Sequence, residues 1–422
     1  MSDITRQLAI YMSLVICCAP YSMIANFYPN IAHNKGLQAW VIGAVFSANP
    51  AAGLITALFL KKYMVKIGRK TTILASVGFS GLSMLVLCPI EHVGIVWLFI
   101  FSFLSSILAG IGAACIMTAS DTVFISDYPD KVDVMIGRVE AAIGLGLIIG
   151  PLLGAILVMG SLLLELIICG LFIILLIPLF SKMLGTFRDY EVKNKKNSLG
   201  IINKPRIALD LGMNLTFQFS ISFVIPSLEL HLLEFELPNY LISLCFILLS
   251  ASYTFFCLFG TRIFRMLEDR TSIFLGAIVL GFSYLMLAPW DVVFPNKLWI
   301  VLLSLPIIGF GQAMIYLPTF PHMIRSAHED YGLAKDDILS DSIAGLSNIS
   351  FSIGEIIGPL FAGILIDLIG YQNTTSLTAL LFVGYGIIYL FGSGLFSRWI
   401  SKKHYKVSLI SPEVEDNTSV NI

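Results

Sequence analysis

Asn348, Ser352 and Glu355 place an amide, a hydroxyl and a carboxyl in a stretch of chain that is otherwise mostly apolar. Their spacing sets them on one face of a helix. A carboxyl in such surroundings is costly, and its expected use is to carry a proton or attract a cation; the plain alternative is a protonated acid hydrogen-bonded between helices. Asn214, Gln218 and Ser222 form a second stripe, which Glu229 continues; Gln312, Tyr316 and Thr319 form a third, and Ser22 with Asn26 a fourth. Together they would line a cavity with hydrogen-bonding groups and aromatic faces, a pathway suited to protons and a small polar or cationic solute.

The elements that position these stripes follow from composition. The 422 residues are 57% hydrophobic and 13% charged, with a mean hydropathy of +0.87. The chain therefore reads as an integral membrane protein. Runs of roughly 20 apolar residues, enough to cross about 30 Å of hydrocarbon, occupy 7–29, 40–60, 71–90, 95–118, 137–158, 160–183, 206–230, 239–261, 272–289, 297–320, 338–366 and 374–397. All are expected to be helices, since lipid leaves no other partner for the backbone of an open-ended segment. The first is too long for a cleaved signal.

Alternating the loops with both termini on one side gathers Arg6, the group from Lys61 to Lys70, the segment from Lys182 to Arg206, and Lys402, Lys403 and Lys406 on one face. Only Lys35 and Lys297 fall on the other, so the first face is expected to be cytosolic. The seven cysteines lie within spans and read as packing residues. The six histidines show no metal-ligand spacing, and no phosphate-binding loop is present, so neither metal nor cofactor is expected. No basic arm suggests nucleic acid. The acidic tail 409–416 reads as disorder or a sorting signal, and Asn373-Thr-Thr375 as a glycosylation acceptor in too short a loop.

Six spans precede the polar segment 182–205 and six follow it, and the halves repeat. Gly110-Ile-Gly112-Ala-Ala114 returns as Gly309-Phe-Gly311-Gln-Ala313, Lys70-Thr71 as Arg270-Thr271, and Gly146-x-x-x-Gly150-Pro151 as Gly354-x-x-x-Gly358-Pro359. The expected architecture is an all-α membrane protein with twelve transmembrane helices in two pseudo-symmetric six-helix bundles. The bundles would be 1–181 and 206–398, with a cytosolic linker at 182–205 and a cytosolic tail at 399–422.

Gly146, Gly150 and Gly154 form one stripe, and Gly354 and Gly358 repeat it, so two backbones can approach closely there. Pro151 and Pro359 would loosen the helix. The motif is read as the place where the bundles meet and bend; the plain alternative is small-residue packing in a rigid bundle. Arg138 and Glu140 are expected to form a charge-paired gate or else a solvated helix end, and the basic group after the second span to pair with Asp127, Asp130 or Asp133 or with lipid headgroups.

The motif Gly146-x-x-x-Gly150-Pro151-x-x-Gly154 resembles the antiporter signature of the major facilitator superfamily, and Gly68-Arg69-Lys70 resembles the end of its loop signature. Phe27-Tyr-Pro29 with Lys35-Gly36, Gly137-x-x-Glu140, Pro318-Thr-Phe-Pro321, Ala327-His-Glu329 and Ser352-Ile-Gly354 resemble the vesicular amine transporter family, most of all its polyamine branch. The resemblance implies exchange of cytosolic organic cations for lumenal protons, in a cavity lined mainly by the first, fourth, seventh and tenth spans. The family patterns place an aspartate where this chain has Val65, an arginine at Ser106, an aspartate at Asn348, and acids at Ile225 and His322. Glu229, one turn from Ile225, could supply the negative charge missing there or be a simple interface carboxylate near Glu234 and Glu236.

The expected function is secondary active transport of a small organic solute, an amine or polyamine, by alternating access in exchange for protons. The competing reading is a transporter-derived structural or regulatory membrane protein without flux. The transporter would work as a monomer in an intracellular vesicle or the plasma membrane, and it would not be an enzyme.

Overall fold

The computed structural model describes residues 3–128, 132–157, 162–187, 202–264, 267–288, 290, 295–333 and 337–395. Residues 188–201 of the polar segment, Asp130 and the whole acidic tail lie outside them, as do the side chains of Val65 and Asp133.

The first expected span is two helices, α1 (Asp3–Ile24) and α2 (Tyr28–Asn34), separated by a turn after the Pro20 region and restarted at Pro29. Single helices follow: α3 (Ala39–Ile67), α4 (Arg69–Leu87), α5 (Ile95–Asp127) and α6 (Val132–Leu157). The sixth span is also divided, into α7 (Leu162–Leu175) and α8 (Ile177–Leu184), because Pro178 cannot donate its amide to a continuing helix. The second half comprises α9 (Pro205–Leu233), α10 (Asn239–Phe264), α11 (Asp269–Leu287), α12 (Leu298–Glu329), α13 (Asp337–Ile369) and α14 (Tyr371–Gly392).

Among the described residues, eleven stretches are long and apolar enough to cross a membrane, so the count of twelve was approximate. The run at 137–158 lies in α6, which packs as a full member of its bundle. Gly68 separates α3 from α4 with φ 85°, a left-handed value that favours glycine. Asn373-Thr-Thr375 opens α14 rather than lying in a loop, and the Asn373 amide is engaged by Trp290 and the Ile369 carbonyl.

The halves are built alike. α1 lies on α6 as α9 lies on α13, α4 on α5 as α11 on α12, α3 on α5 as α10 on α12, and α4 on α7 as α11 on α14. The bundles meet along two related seams, α3 with α13 and α6 with α10. The starts of α1, α4, α9 and α11 and the ends of α5 and α12 share one face, called here the charged face.

Candidate functional site

The glycine stripes lie inside the bundles, which corrects their expected place. A Cβ at Gly150 would collide with the Ser22 hydroxyl and the Ala19 carbonyl of α1, and one at Gly358 with the Ser222 hydroxyl of α9. Gly146 and Gly354 face Val15 and Leu215 on the same helices. Ser22 Oγ donates to the Gly146 carbonyl at 3.4 Å and Ser222 Oγ to the Gly354 carbonyl at 3.2 Å, so the Ser222 hydroxyl is part of this seam. The stripe falls on the side of α6 and α13 turned toward their own bundle. Gly154, at the end of α6, and Pro151 continue that helix.

Contact between bundles uses other residues, toward the face opposite the charged one. A Cβ at Gly43 of α3 would strike the Pro359 carbonyl of α13, and one at Gly363 the Ala39 carbonyl. Ser47 Oγ donates to the Ile356 carbonyl at 2.7 Å. Asp367 accepts the amides of Ala39 at 3.1 Å and Trp40 at 2.8 Å, filling the open N-terminus of α3 from the other bundle. Glu229, only 1% exposed, accepts the Asn30 amide at 3.2 Å. It therefore fastens α9 to α2, while Ile225 packs in the apolar core. The opposite face is closed.

Between that closure and the charged face lies an aromatic wall. Tyr316 stacks on Phe217 at 4.9 Å, and Tyr253 and Phe351 complete the group. The Tyr316 hydroxyl crosses the bundles to donate to Glu140 Oε1 at 2.8 Å. Asp121 of α5 is within electrostatic reach of both Glu140 and Tyr316, and Glu355 within reach of Tyr21 and Cys18 on α1. Glu355 has no hydrogen-bond or ion-pair partner among the described residues. Both amide atoms of Asn26, the Nδ2 of Asn214 and the hydroxyl of Tyr21 are buried and unpartnered there as well. Carboxyls and aromatic ring faces both attract an organic cation.

Other expected pathway residues divide. Ser352 and Gln218 are half-buried on α13 and α9, and Asn348 is exposed. Gln312 instead donates to Ser220 Oγ at 3.1 Å within its own bundle. Ser106, where the family pattern has arginine, borders a small void with Ser102, Ser105 and Phe46. Asp121 and the Phe217, Tyr253 and Phe351 rings around Tyr316 were missed in the sequence. The apolar run was ended at 118, although α5 continues to Asp127, and aromatic residues at helical spacing resemble ordinary core.

At the charged face each bundle builds a triad. Asp127 at the end of α5 takes Arg6 at 3.3 Å and Arg69 at 3.6 Å. Asp330 after α12 takes Arg270 at 2.9 Å together with Arg206. The sequence register paired Lys70 with Arg270, yet Arg69 is the buried arginine in the first half. Arg138 is exposed and reaches Tyr11, leaving Glu140 to Tyr316; positions two apart on a helix point in different directions, so their expected pairing does not form.

Asp330 lies beyond the end of α12. Burial alone would raise its pKa, but bonds from Ser326 and Arg206 and the charge of Arg270 outweigh that and hold the carboxyl below its ordinary value.

Residues 10–334 match the profile of the Major Facilitator Superfamily. The chain is 27% identical to the MFS-type transporter SLC18B1 of Mus musculus over 376 residues, covering 86% of this chain and 80% of that protein. It is likewise 27% identical to the Homo sapiens protein over 371 residues, covering 85% and 80%.

Among solved structures, a bacterial homologue of the human lysosomal transporter Spinster, inward-facing and occupied, superposes with a TM-score of 0.70 at 14% identity, covering 94% of this chain and 98% of that one. A D-xylose-proton symporter superposes with a TM-score of 0.71 at 13% identity, covering 92% and 97%. These two share the fold. A profile match over most of its length, on a fold of two like bundles, shows that the chain belongs to the Major Facilitator Superfamily and is a secondary transporter of small solutes.

Proposed function

We propose that this transporter carries a small organic amine by alternating access in exchange for protons. The observation that supports it is the grouping of Glu140 and Asp121 with the Phe217, Tyr253, Tyr316 and Phe351 rings, with Glu355 near Tyr21. An ammonium gains from both carboxylates and ring faces when it leaves water. Glu355, without a partner of its own, is the group that takes a proton when the amine leaves. Glu140 and Tyr316 form a gate between the bundles, and the opposite-face closure through Asp367 and Glu229 must part for release.

The excess of Lys and Arg assigns the charged face, with both termini, to the cytosol, in an intracellular vesicle or the plasma membrane. The domain division at 182–205 and action as a monomer complete the reading.

Proteoliposomes with an imposed pH gradient provide the test. Uptake of at least one amine from a panel of monoamines, diamines and longer polyamines is expected, and it should collapse with the gradient. Absence of flux across the whole panel would overturn this reading and favour a structural or regulatory role.

A further inference from the structure

α12 contains Pro306, Pro318 and Pro321. Each proline removes one backbone hydrogen bond from the helix, so the turns after Pro321 depend more on side chains for their position. The first of those side chains is His322, which is 4% exposed. Its Nδ1 lies 2.8 Å from Asp210 Oδ2 on α9, and its Nε2 lies 2.9 Å from Arg270 Nε on α11. A guanidinium nitrogen can only donate, so Nε2 is the acceptor and the ring proton sits on Nδ1, where it is donated to Asp210.

The surrounding groups are accounted for. Asp210 is fully buried and also accepts from the Tyr389 hydroxyl of α14 at 2.7 Å. Arg270 further donates to the Ser393 carbonyl at 2.7 Å and to Asp330 at 2.9 Å, and Asp330 takes Arg206 and Ser326 as well. Two carboxylates and two guanidiniums balance while the imidazole is neutral. A second ring proton must go on Nε2, which cannot then accept from Arg270 Nε. Protonation and this contact exclude one another.

We propose that His322 is a proton-linked positioning residue. A proton arriving from the charged face binds Nε2, displaces Arg270 Nε, and frees the end of α12, whose Tyr316 holds Glu140 across the bundles. No covalent bond other than N–H forms, and the proton leaves by the same route. Among the described residues the Arg6–Asp127–Arg69 triad shows no histidine contact, so the switch is placed in the second bundle. The proposal goes beyond the assignment of solute and coupling ion, and requires only that the bundles move.

Spin labels placed by bioorthogonal chemistry at positions 62 and 329, with native cysteines left in place, would report the distance between the bundles in nanodiscs. No solute is added, so the result stands apart from any failure of amine transport. Between pH 5 and 8, where imidazoles change charge, the distance populations of the full chain are expected to shift. His322→Gln is expected to remove at least half of that shift. Asp210→Asn keeps the imidazole but withdraws the carboxylate favouring its charged form, so the midpoint should move to lower pH.

Unchanged pH dependence in His322→Gln, or an unmoved midpoint in Asp210→Asn, overturns the proposal. Should neither variant fold, 15N-histidine spectra of the wild type decide: a buried Nδ1-protonated imidazole that stays neutral across the range overturns it, and one whose protonation tracks the distance change supports it.

Discussion

The two bundles share their helix pairs, their glycine stripes with Ser22 and Ser222, and a charged-face triad of one aspartate and two arginines. They differ in what has been added. Among the described residues the second bundle carries the aromatic wall, the unpartnered Glu355 and the His322–Asp210 extension of its triad. The first contributes Asp121 and Glu140, the latter bonded to Tyr316 across the bundles. What is repeated holds each bundle together, and the proposed solute and proton groups are among what is not repeated.

Glu355→Gln tests that division most severely. A pH-driven amine uptake lower by about a hundredfold, the upper range of coupling between sites, is expected with the melting temperature unchanged. Undiminished uptake would remove the proton-carrier assignment.

Gly150→Leu and Gly358→Leu should do the reverse. Each overpacks a seam inside one bundle, costing about 1–3 kcal/mol or more, and the two should lower the melting temperature alike. If either leaves both melting and turnover intact, the matched seams are not tight.

Tyr316→Phe deletes the hydroxyl that bonds Glu140 across the bundles. Bonds to charged groups are worth about 1.5–3 kcal/mol, so the balance between conformers is expected to move by about tenfold, read from interbundle distances. An unchanged balance would show that the contact does not gate.

Asp330 gives the smallest effect. Its lowered pKa contributes stability above the ordinary carboxylate value of about 3.9, and that stability is lost as pH falls through the lower folded value. Asp330→Asn should therefore narrow the gap in melting temperature between pH 5 and pH 3. An equal gap in both proteins would show that Arg206 and Arg270 do not hold this carboxyl.

Much of the scaffold was legible because lipid imposes one rule on every span, so hydropathy and the repeated Gly-x-x-x-Gly-Pro reveal two similar halves. Which partner a glycine stripe faces was not legible. That depends on rotation about the helix axis, and it turned Gly150 toward Ser22 rather than toward the other bundle. Glu355 stood out because a carboxyl in an apolar run has few structural uses. Asp121 did not, since Thr118 and Ser120 lower the hydropathy just before it and break the apolar run. The pairing of His322 with Asp210 joins residues far apart in sequence, and only the fold brings the acid beside the position where the family pattern would have one.

At Gly43 and Gly363 the two bundles touch through main chain, with the Pro359 and Ala39 carbonyls against bare Cα atoms. A surface of this kind carries no chemical identity of its own. Side chains around it can drift over evolutionary time without altering its shape, provided nothing larger than hydrogen enters. It behaves as a bearing, leaving the choice of resting position to the carboxylates and rings placed elsewhere along the cleft.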